Sequence, residues 1–316
     1  MIKELSYKNH DEWRAIRHKY IGGSDASALI GMNPYKIAYT LWAEKTDNIP
    51  EFEGNLITRV GSYLEELVAK LFSEDTGKKV QKKNKTIFND EYPFACANID
   101  RKIVGENAFL EIKTTNNFPL MKMLRNSTEF PEAYYCQCVH YMAVGGFDKC
   151  YLAVLINCRE LKIYEMERDE AEINALMQAE ASFWKLVENG TPPSTDGSIS
   201  TVETLNALYP YSTEESVDVT PYEAELKNYL AVSDEIKALK AQRDEYANRV
   251  KAYMKDAGRG ETERFRVSWK SSSRRSFDVE RFAAEHADIN LDEYYKETTT
   301  KTFRITEKTI KEAKYD

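Results

Sequence analysis

Residues 98–115 place Asp100, Glu111 and Lys113 in the pattern D-x10-E-x-K. Glu111 and Lys113 are two apart on a predicted strand, 108–115, so their side chains share a face, while Ile112 points the other way into apolar packing. Asp100 ends the preceding predicted strand, 94–101, and Val104-Gly105-Glu106-Asn107 forms the hairpin turn between the two. Two converging carboxylates disfavour each other's charge unless a cation lies between them. Hard oxygen ligands of this kind suit Mg²⁺, with Mn²⁺ as a substitute. Such an ion polarises a phosphoryl oxygen and lowers the pKa of a bound water. The adjacent lysine then holds that water or stabilises the charge that develops on phosphate. A hairpin with three solvated charges has the same letters, so the pattern gains weight only from its surroundings.

Two further residues belong to that surrounding. On a predicted helix, 55–76, Leu64, Leu67, Val68, Leu71 and Phe72 form an apolar stripe at i, i+3, i+4, i+7 and i+8. Glu65 lies about 90° from the centre of this stripe by the 3.6-residue period, and Glu66 points away into solvent. Glu65 is thus free to look across the core edge toward the sheet; a plain border residue fits the same pattern. Gln137, in Tyr134-Tyr135-Cys136-Gln137, sits in a helix of otherwise apolar character, so its amide needs a partner. It can brace Lys113 or the attacking water, or be a satisfied core glutamine.

The elements that must position these groups follow from period and punctuation. Helices are predicted over 8–19, 25–31 and 37–46, with Ser24 or Asp25 as a cap after the turn Ile21-Gly22-Gly23, and Asn33-Pro34-Tyr35 as a break. Gly77 closes the long helix, and strands over 79–88, 94–101 and 108–115 follow. Pro131 opens a helix over 132–144 that ends at Gly145-Gly146, and strands over 149–157 and 160–166 precede a helix over 169–188. The linker at 189–198 leads to one or two long helices in 221–256 and to strands over 263–270 and 301–305. This order predicts an α/β (α+β) domain, 1–213, with a central mixed sheet flanked by helices, and a helical and β appendage, 214–316.

Composition limits the alternatives. The 316 residues are 42% apolar, enough for a real core, and no run of 18 apolar residues spans a membrane. The start, Met1-Ile2-Lys3-Glu4-Leu5-Ser6, lacks the apolar stretch of a secretion signal, so a cytoplasmic location is expected. Five scattered cysteines argue against a disulfide framework, and Cys136-Gln137-Cys138 is too tight for a zinc pair. The net charge of −8 does not advertise DNA binding, but phosphate responds to local charge. No P-loop, GxSxG or HExxH pattern is present, which disfavours NTPases, serine hydrolases and zinc proteases.

Over residues 12–165 the sequence resembles the YqaJ-type phage recombination nucleases, relatives of lambda exonuclease in the PD-(D/E)XK superfamily. The resemblance is carried, in order, by Trp13-Arg-Ala-Ile-Arg17, Ile21-Gly-Gly-Ser24-Asp-Ala-Ser, Asn33-Pro34-Tyr35, Gly61-Ser-Tyr-Leu-Glu65, Asp100, Glu111-Ile-Lys113 and Tyr134-Tyr-Cys-Gln137. It implies a restriction-endonuclease-like core. It implies Asp100 and Glu111 as the main metal ligands, the Ile112 carbonyl as a third and Glu65 completing the site. Lys113 would activate the water with support from Gln137, and Arg17 and Ser24 would hold a DNA 5′ phosphate, although an exposed arginine and a simple N-cap fit the same residues. The implied activity is Mg²⁺-dependent 5′→3′ digestion of one strand of duplex DNA from its ends, leaving 3′ overhangs, beside a single-strand annealing protein. A homo-oligomer is implied as well, with a trimer open to question because residues 214–316 exceed the compact relative. An endonuclease using the same site, and a non-catalytic recombination scaffold, are the rival functions.

Two basic segments remain. The run Gly77–Lys85 either lines a DNA path or protects a solvated edge strand. Arg264, Arg266 and Lys270, on one face of a predicted strand with Trp269 near, either track phosphates or pack the appendage.

Overall fold

A computed structural model describes residues 1–33, 35–116, 120–121, 124, 130–286, 289–296 and 300–307; Pro34 of the Asn33-Pro34-Tyr35 break lies outside them. The chain divides into two compact units, Met1–Pro210 and Tyr211–Asp316.

The first unit is built on two sheets. One has the order β1-β4-β5-β2, from Ile2–Ser6, Lys85–Asn89, Ala95–Ala97 and Ile21–Gly22. The other has the order β3-β6-β7-β8-β9, from Val80–Lys82, Arg101–Ile103, Ala108–Thr115, Lys149–Ile156 and Glu160–Glu167. Both are mixed: β2 runs parallel to β5, and β7 parallel to β8, while the other pairs are antiparallel. The predicted strands 79–88 and 94–101 are therefore each two strands in different sheets. The chain changes sheet at Lys83-Asn84 and again at 98–100. Apolar alternation continues through the second crossing, Ala95-Ala97-Ile99, so the period alone does not reveal that break, and the first lies in the polar run 81–86. Asp100 stands in the second crossing, directly before β6, rather than at a strand end.

Helices α1 (His10–His18), α2 (Gly23–Leu29) and α3 (Ala38–Lys45) precede the long α4 (Leu56–Thr76). Asn55 caps α4 by accepting from Ile57 and Thr58 N–H, and Gly77 closes it in the left-handed conformation at φ 71°. The buried stripe of α4 is Val68, Ala69 and Phe72, packed on Ile103, Leu110, Ile112 and Tyr151 of the five-stranded sheet. Leu67, predicted within the stripe, is exposed. The face thus turns toward position 65, and Glu65, three and four residues before Val68 and Ala69, continues the buried line instead of flanking it.

Helix α5 (Glu132–Gly145) covers the opposite face and ends at Gly146 in the left-handed conformation. Its Cys138, Val139 and Met142 meet Phe109 and Cys150 of the sheet, Ile87 and Ala97 of the other sheet, and Ile173 and Met177 of α6 (Glu170–Glu188). A helix buried on several sides is apolar all round, as its sequence is. Strand β7 is thus clamped between two helices: Leu110 and Ile112 face α4, and Phe109 faces α5. The segment after the linker, for which no element was predicted, contains α7 (Ile199–Leu208), with Thr201 and Thr204 buried and Thr40 bonded to Thr204 at 2.7 Å. All five cysteines are free, and Cys158 alone is exposed.

In the second unit, residues 223–254 form a single helix, α8, with no buried residue. The predicted strand 263–270 shrinks to β11 (Arg266–Ser268), paired antiparallel with β10 (Arg259–Glu261). Arg264 and Lys270 are outside it, so the proposed one-face basic row does not form. Residues 301–305 are not a strand; Phe303 stacks edge-on against Tyr229 instead. Alternation without a neighbouring edge does not make a ladder. A short helix, α9 (Val279–Glu285), capped by Asp278, was not foreseen. Among the described residues no helix is long and apolar enough to cross a membrane.

Candidate active site

Arg17, Ser24, Glu65, Asp100, Glu111, Ile112, Lys113 and Gln137 all line one cleft of about 520 Å³ in the first unit. The structure brings together residues up to 120 positions apart through the two sheet crossings and the clamped strand β7.

The carboxylate end comes from β7, the 98–100 crossing and α4. Glu111 is 2% exposed and faces α5, where Gln137 Nε2 donates to its Oε1 at 2.7 Å. Gln137 also donates to the Tyr141 hydroxyl at 3.1 Å. Gln137 thus braces Glu111 rather than Lys113. Lys113 Nζ stands 2.6 Å from Glu111 Oε1 and over the Tyr134 ring at 5.6 Å. The Ile112 N–H donates to Asp100 Oδ2 at 2.7 Å, which pins Asp100 against the edge of β7. Arg101, buried, donates to the Asp100 carbonyl at 2.7 Å and to Glu66 Oε2 at 2.9 Å, and lies 3.9 Å from Glu65. Glu66 is exposed as predicted, yet it helps to anchor this arginine to α4.

These carboxylates raise one another. Burial, then the Asp100 charge, pushes the Glu111 carboxyl up to about 8. Burial raises Asp100, and burial with the Asp100 charge raises Glu65. Burial acts to lower Lys113, but Glu111 and Asp100 outweigh it and hold the lysine protonated. Glu111 Oε2 is buried without a hydrogen-bond partner. An orphaned buried carboxylate oxygen beside two further carboxylates is the donor set a hard divalent cation satisfies. Among the described residues no three such side chains already stand in coordinating positions. The fit therefore rests on the chemistry of the donors.

The cationic end comes from α1, β2 and α2. Arg17 donates to the Ser24 hydroxyl, lies over Trp13 at 5.3 Å, and is 3.5 Å from Asp25. Asp25, 4% exposed, accepts the Gly22 N–H at 3.1 Å and lies 3.5 Å from Lys45, whose side chain is 2% exposed. Asp25 therefore closes the turn from the third position of α2, and Gly22 is the N-cap. Burial acts to raise Asp25, but Lys45 and Arg17 outweigh it and hold the carboxyl well below the usual range. At Gly23 a Cβ would come within 2.4 Å of the Tyr141 ring, so only glycine lets α2 approach α5 this closely.

Sequence reasoning missed Asp25 as the anchor of Arg17, together with Lys45, Tyr141 and Arg101. The spacing of Tyr141, four after Gln137 on one helix face, was a usable signal. The link from Asp25 to Lys45 crosses two helices and had none.

Comparison with known proteins agrees with this architecture. Residues 12–148 match the YqaJ-like viral recombinase domain. YqaJ of Bacillus subtilis (strain 168) is 36% identical over 313 residues, 97% of each chain. Protein D345L of African swine fever virus is 40% identical over 47 residues, 15% of this chain and 14% of its own. The alkaline exonuclease LHK-Exo from Laribacter hongkongensis, in its complex with dAMP, superposes with a TM-score of 0.50 at 20% identity, over 57% of this chain and 94% of its own. The fold is thus the restriction-endonuclease-like α/β fold of that exonuclease. With a relative at 36% identity along nearly its whole length and the domain match across the cleft residues, the chain belongs to the YqaJ-like viral recombinase family.

Proposed function

We propose that the protein is a divalent-metal-dependent deoxyribonuclease that digests one strand of duplex DNA in the 5′→3′ direction from its ends and leaves 3′ overhangs. The observation that carries it is a single cleft with mutually raised carboxylates and a charged lysine at one end and an anchored arginine–serine pair at the other. Family membership and the fold shared with an alkaline exonuclease support the same reading.

Asp100, Glu111 and Glu65 would hold Mg²⁺, or Mn²⁺ in its place, with the Ile112 carbonyl as a further ligand. Held by these residues, the ion would acidify a water and neutralise charge on the scissile phosphate. Lys113 orients that water and stabilises the developing oxyanion. Gln137 holds Glu111 in place through its amide. Arg17 grips the 5′ phosphate with Ser24 as a second donor. The nuclease domain comprises residues 1–213, and residues 214–316 are an appendage that clamps DNA or assists assembly. A single-strand annealing protein as partner, a homo-oligomer, for which a trimer is one form, and a cytoplasmic site of action complete the proposal.

The test is strand-specific digestion of end-labelled duplexes, with and without a 5′ phosphate, in Mg²⁺. Loss of the 5′ label first, faster on phosphorylated ends, is expected. Cutting of closed circular DNA at comparable rate would replace the exonuclease by an endonuclease. Absence of Mg²⁺-stimulated cleavage would leave a DNA-binding scaffold.

A further inference from the structure

The basic run at 78–85 holds five lysines, and the structure sorts them. Lys78 pairs with Glu106 at 2.5 Å, and Lys83 and Lys85 both pair with Glu4 at 2.7 Å. Lys79 precedes β3 and does not line the cleft. Lys82 does line it, and no carboxylate among the described residues pairs with it.

The register explains where Lys82 stands. It is opposite Arg101 in the antiparallel β3–β6 pair, and Arg101 is opposite Leu110 of β7. Directly opposed residues share a face. Leu110 packs against α4, and so does Val80, two residues before Lys82. Lys82 therefore extends on the α4 face at the outermost strand of the five-stranded sheet, beside Glu65. Its charge is felt by both Glu65 and Asp100.

A chain of contacts orders the cleft. Arg17 bonds Ser24, whose neighbour Gly23 packs on the Tyr141 ring; Tyr141 accepts from Gln137, Gln137 donates to Glu111, and Asp100 accepts the adjoining Ile112 N–H. Lys82 stands across the β3–β6 pair from Arg101, which follows Asp100 in the chain and lies 3.9 Å from Glu65. Arg17 and Lys82 are at opposite ends of this chain, with the carboxylates between them. An unpaired cation at an exposed strand end costs little in folding and is available to an anionic ligand.

We propose that Lys82 holds a backbone phosphate of duplex DNA on the side of the scissile bond away from the Arg17–Ser24 end. This rests on the nuclease reading and deepens it: a DNA end held at Arg17 reaches past the metal carboxylates and meets Lys82. Lys82 is then a substrate-positioning residue, and its neighbourhood gives it a signature that a structural role lacks. Removing its charge takes away a phosphate contact but also takes a positive charge away from the metal carboxylates. The two ligands of one cleft therefore do not weaken together.

The experiment measures binding of a 5′-phosphorylated duplex in Ca²⁺ across a salt series, and Mn²⁺ binding without DNA, for wild type, K82M, K82R and K79M. In K82M, DNA affinity falls roughly tenfold, the lower range for a hydrogen bond to a charged group. The slope of log K against log salt shrinks by about 0.9, the value for one phosphate contact. Mn²⁺ binding is unchanged or tighter. K82R recovers most of the DNA affinity and K79M behaves as wild type. A K82M with wild-type affinity and salt slope, a loss shared equally by K79M, or a K82M that loses Mn²⁺ along with DNA overturns the proposal. Wild-type protein that binds no DNA overturns the nuclease reading and this proposal with it.

Discussion

The two ends of the cleft bury carboxylates to the same degree and charge them in opposite ways. Glu111 is 2% exposed and Asp25 is 4% exposed. Asp25 sits between Lys45 and Arg17 and is held ionised. Glu111 meets Asp100 and Glu65 as well as Lys113, and it is pushed toward the protonated form. Burial is equal, so the neighbours decide the sign. One end is a balanced network that fixes an arginine. The other is left with an excess of negative charge, the condition a divalent cation relieves. Lys113 partly fills that excess, while its counterpart at the cationic end, Lys45, is wholly committed to structure.

The largest effect that sharpens this contrast is at Lys113. K113A removes the group proposed to orient the water and is expected to lower the cleavage rate by about 10²–10⁴-fold, with DNA binding in Ca²⁺ retained. D100N stops cleavage and weakens Mg²⁺ binding as well. Single-turnover rates and a metal titration check both, and full activity in either variant breaks the assignment of the carboxylate end.

Next comes stability, where the two ends diverge in sign. D25A removes the buried carboxylate that Lys45 and Arg17 share and leaves Lys45 with Glu51, 3.3 Å away, as its one carboxylate partner among the described residues, and breaking such a buried pair costs about 3–5 kcal/mol. E111Q removes a charge that its neighbours disfavour, so the metal-free protein gains stability and loses its stabilisation by Mg²⁺. Urea melts with and without Mg²⁺ separate the two. Equal destabilisation by both substitutions would erase the distinction between the ends.

The pH dependence follows from the same signs. Glu111 is raised from 4.5 to about 8 in the folded state. A raised carboxyl contributes stability below its unfolded value, and that contribution is lost as pH rises through the folded value. Metal-free protein should therefore lose Tm as pH climbs from 5 to about 8, and Mg²⁺ should restore more at the upper end. Asp25 has the opposite sign. Its contribution is complete at neutral pH and begins to fall only below its ordinary value of 3.8. A metal-free Tm that is flat from pH 5 to about 8 would show that the carboxylates do not strain one another.

A smaller change comes from Gln137. Q137A frees Glu111 Oε1 from its amide and lowers the rate by about 10-fold through misplacement of a ligand, with DNA affinity unchanged. The smallest is at Glu66, whose side chain is 84% exposed. E66Q alters stability by less than about 1 kcal/mol, as for surface ion pairs generally, and leaves the rate at wild type. A large loss in E66Q would mean that Arg101, rather than the carboxylates, organises that end.

Much of the cleft was legible because its parts lie on strongly patterned elements. The two-residue spacing of Glu111 and Lys113 needs only a strand, and the long helix declares itself by caps and period. Glu65 was chosen over Glu66 by helix phase, although the phase itself was off. Leu67 was counted in the stripe and is exposed, because the face of a helix that turns inward is set by what it packs on. Gln137 was recognised as needing a partner, but its bond to Glu111 depends on how α5 lies over β7.

What the sequence determined by itself is local: strand alternation, helix caps, the turn glycines and the residue types able to bind metal and phosphate. These depend on neighbours within a few positions, where backbone geometry leaves little choice. Only the tertiary structure decided that strands 79–88 and 94–101 break between two sheets, that Asp100 stands in the crossing, and that Asp25 and Lys45 anchor Arg17. It alone decided which buried carboxylate is ionised. The reason is physical. A pKa, an ion pair and a sheet change are fixed by charges and edges brought together from distant parts of the chain, and no short window of sequence contains both partners.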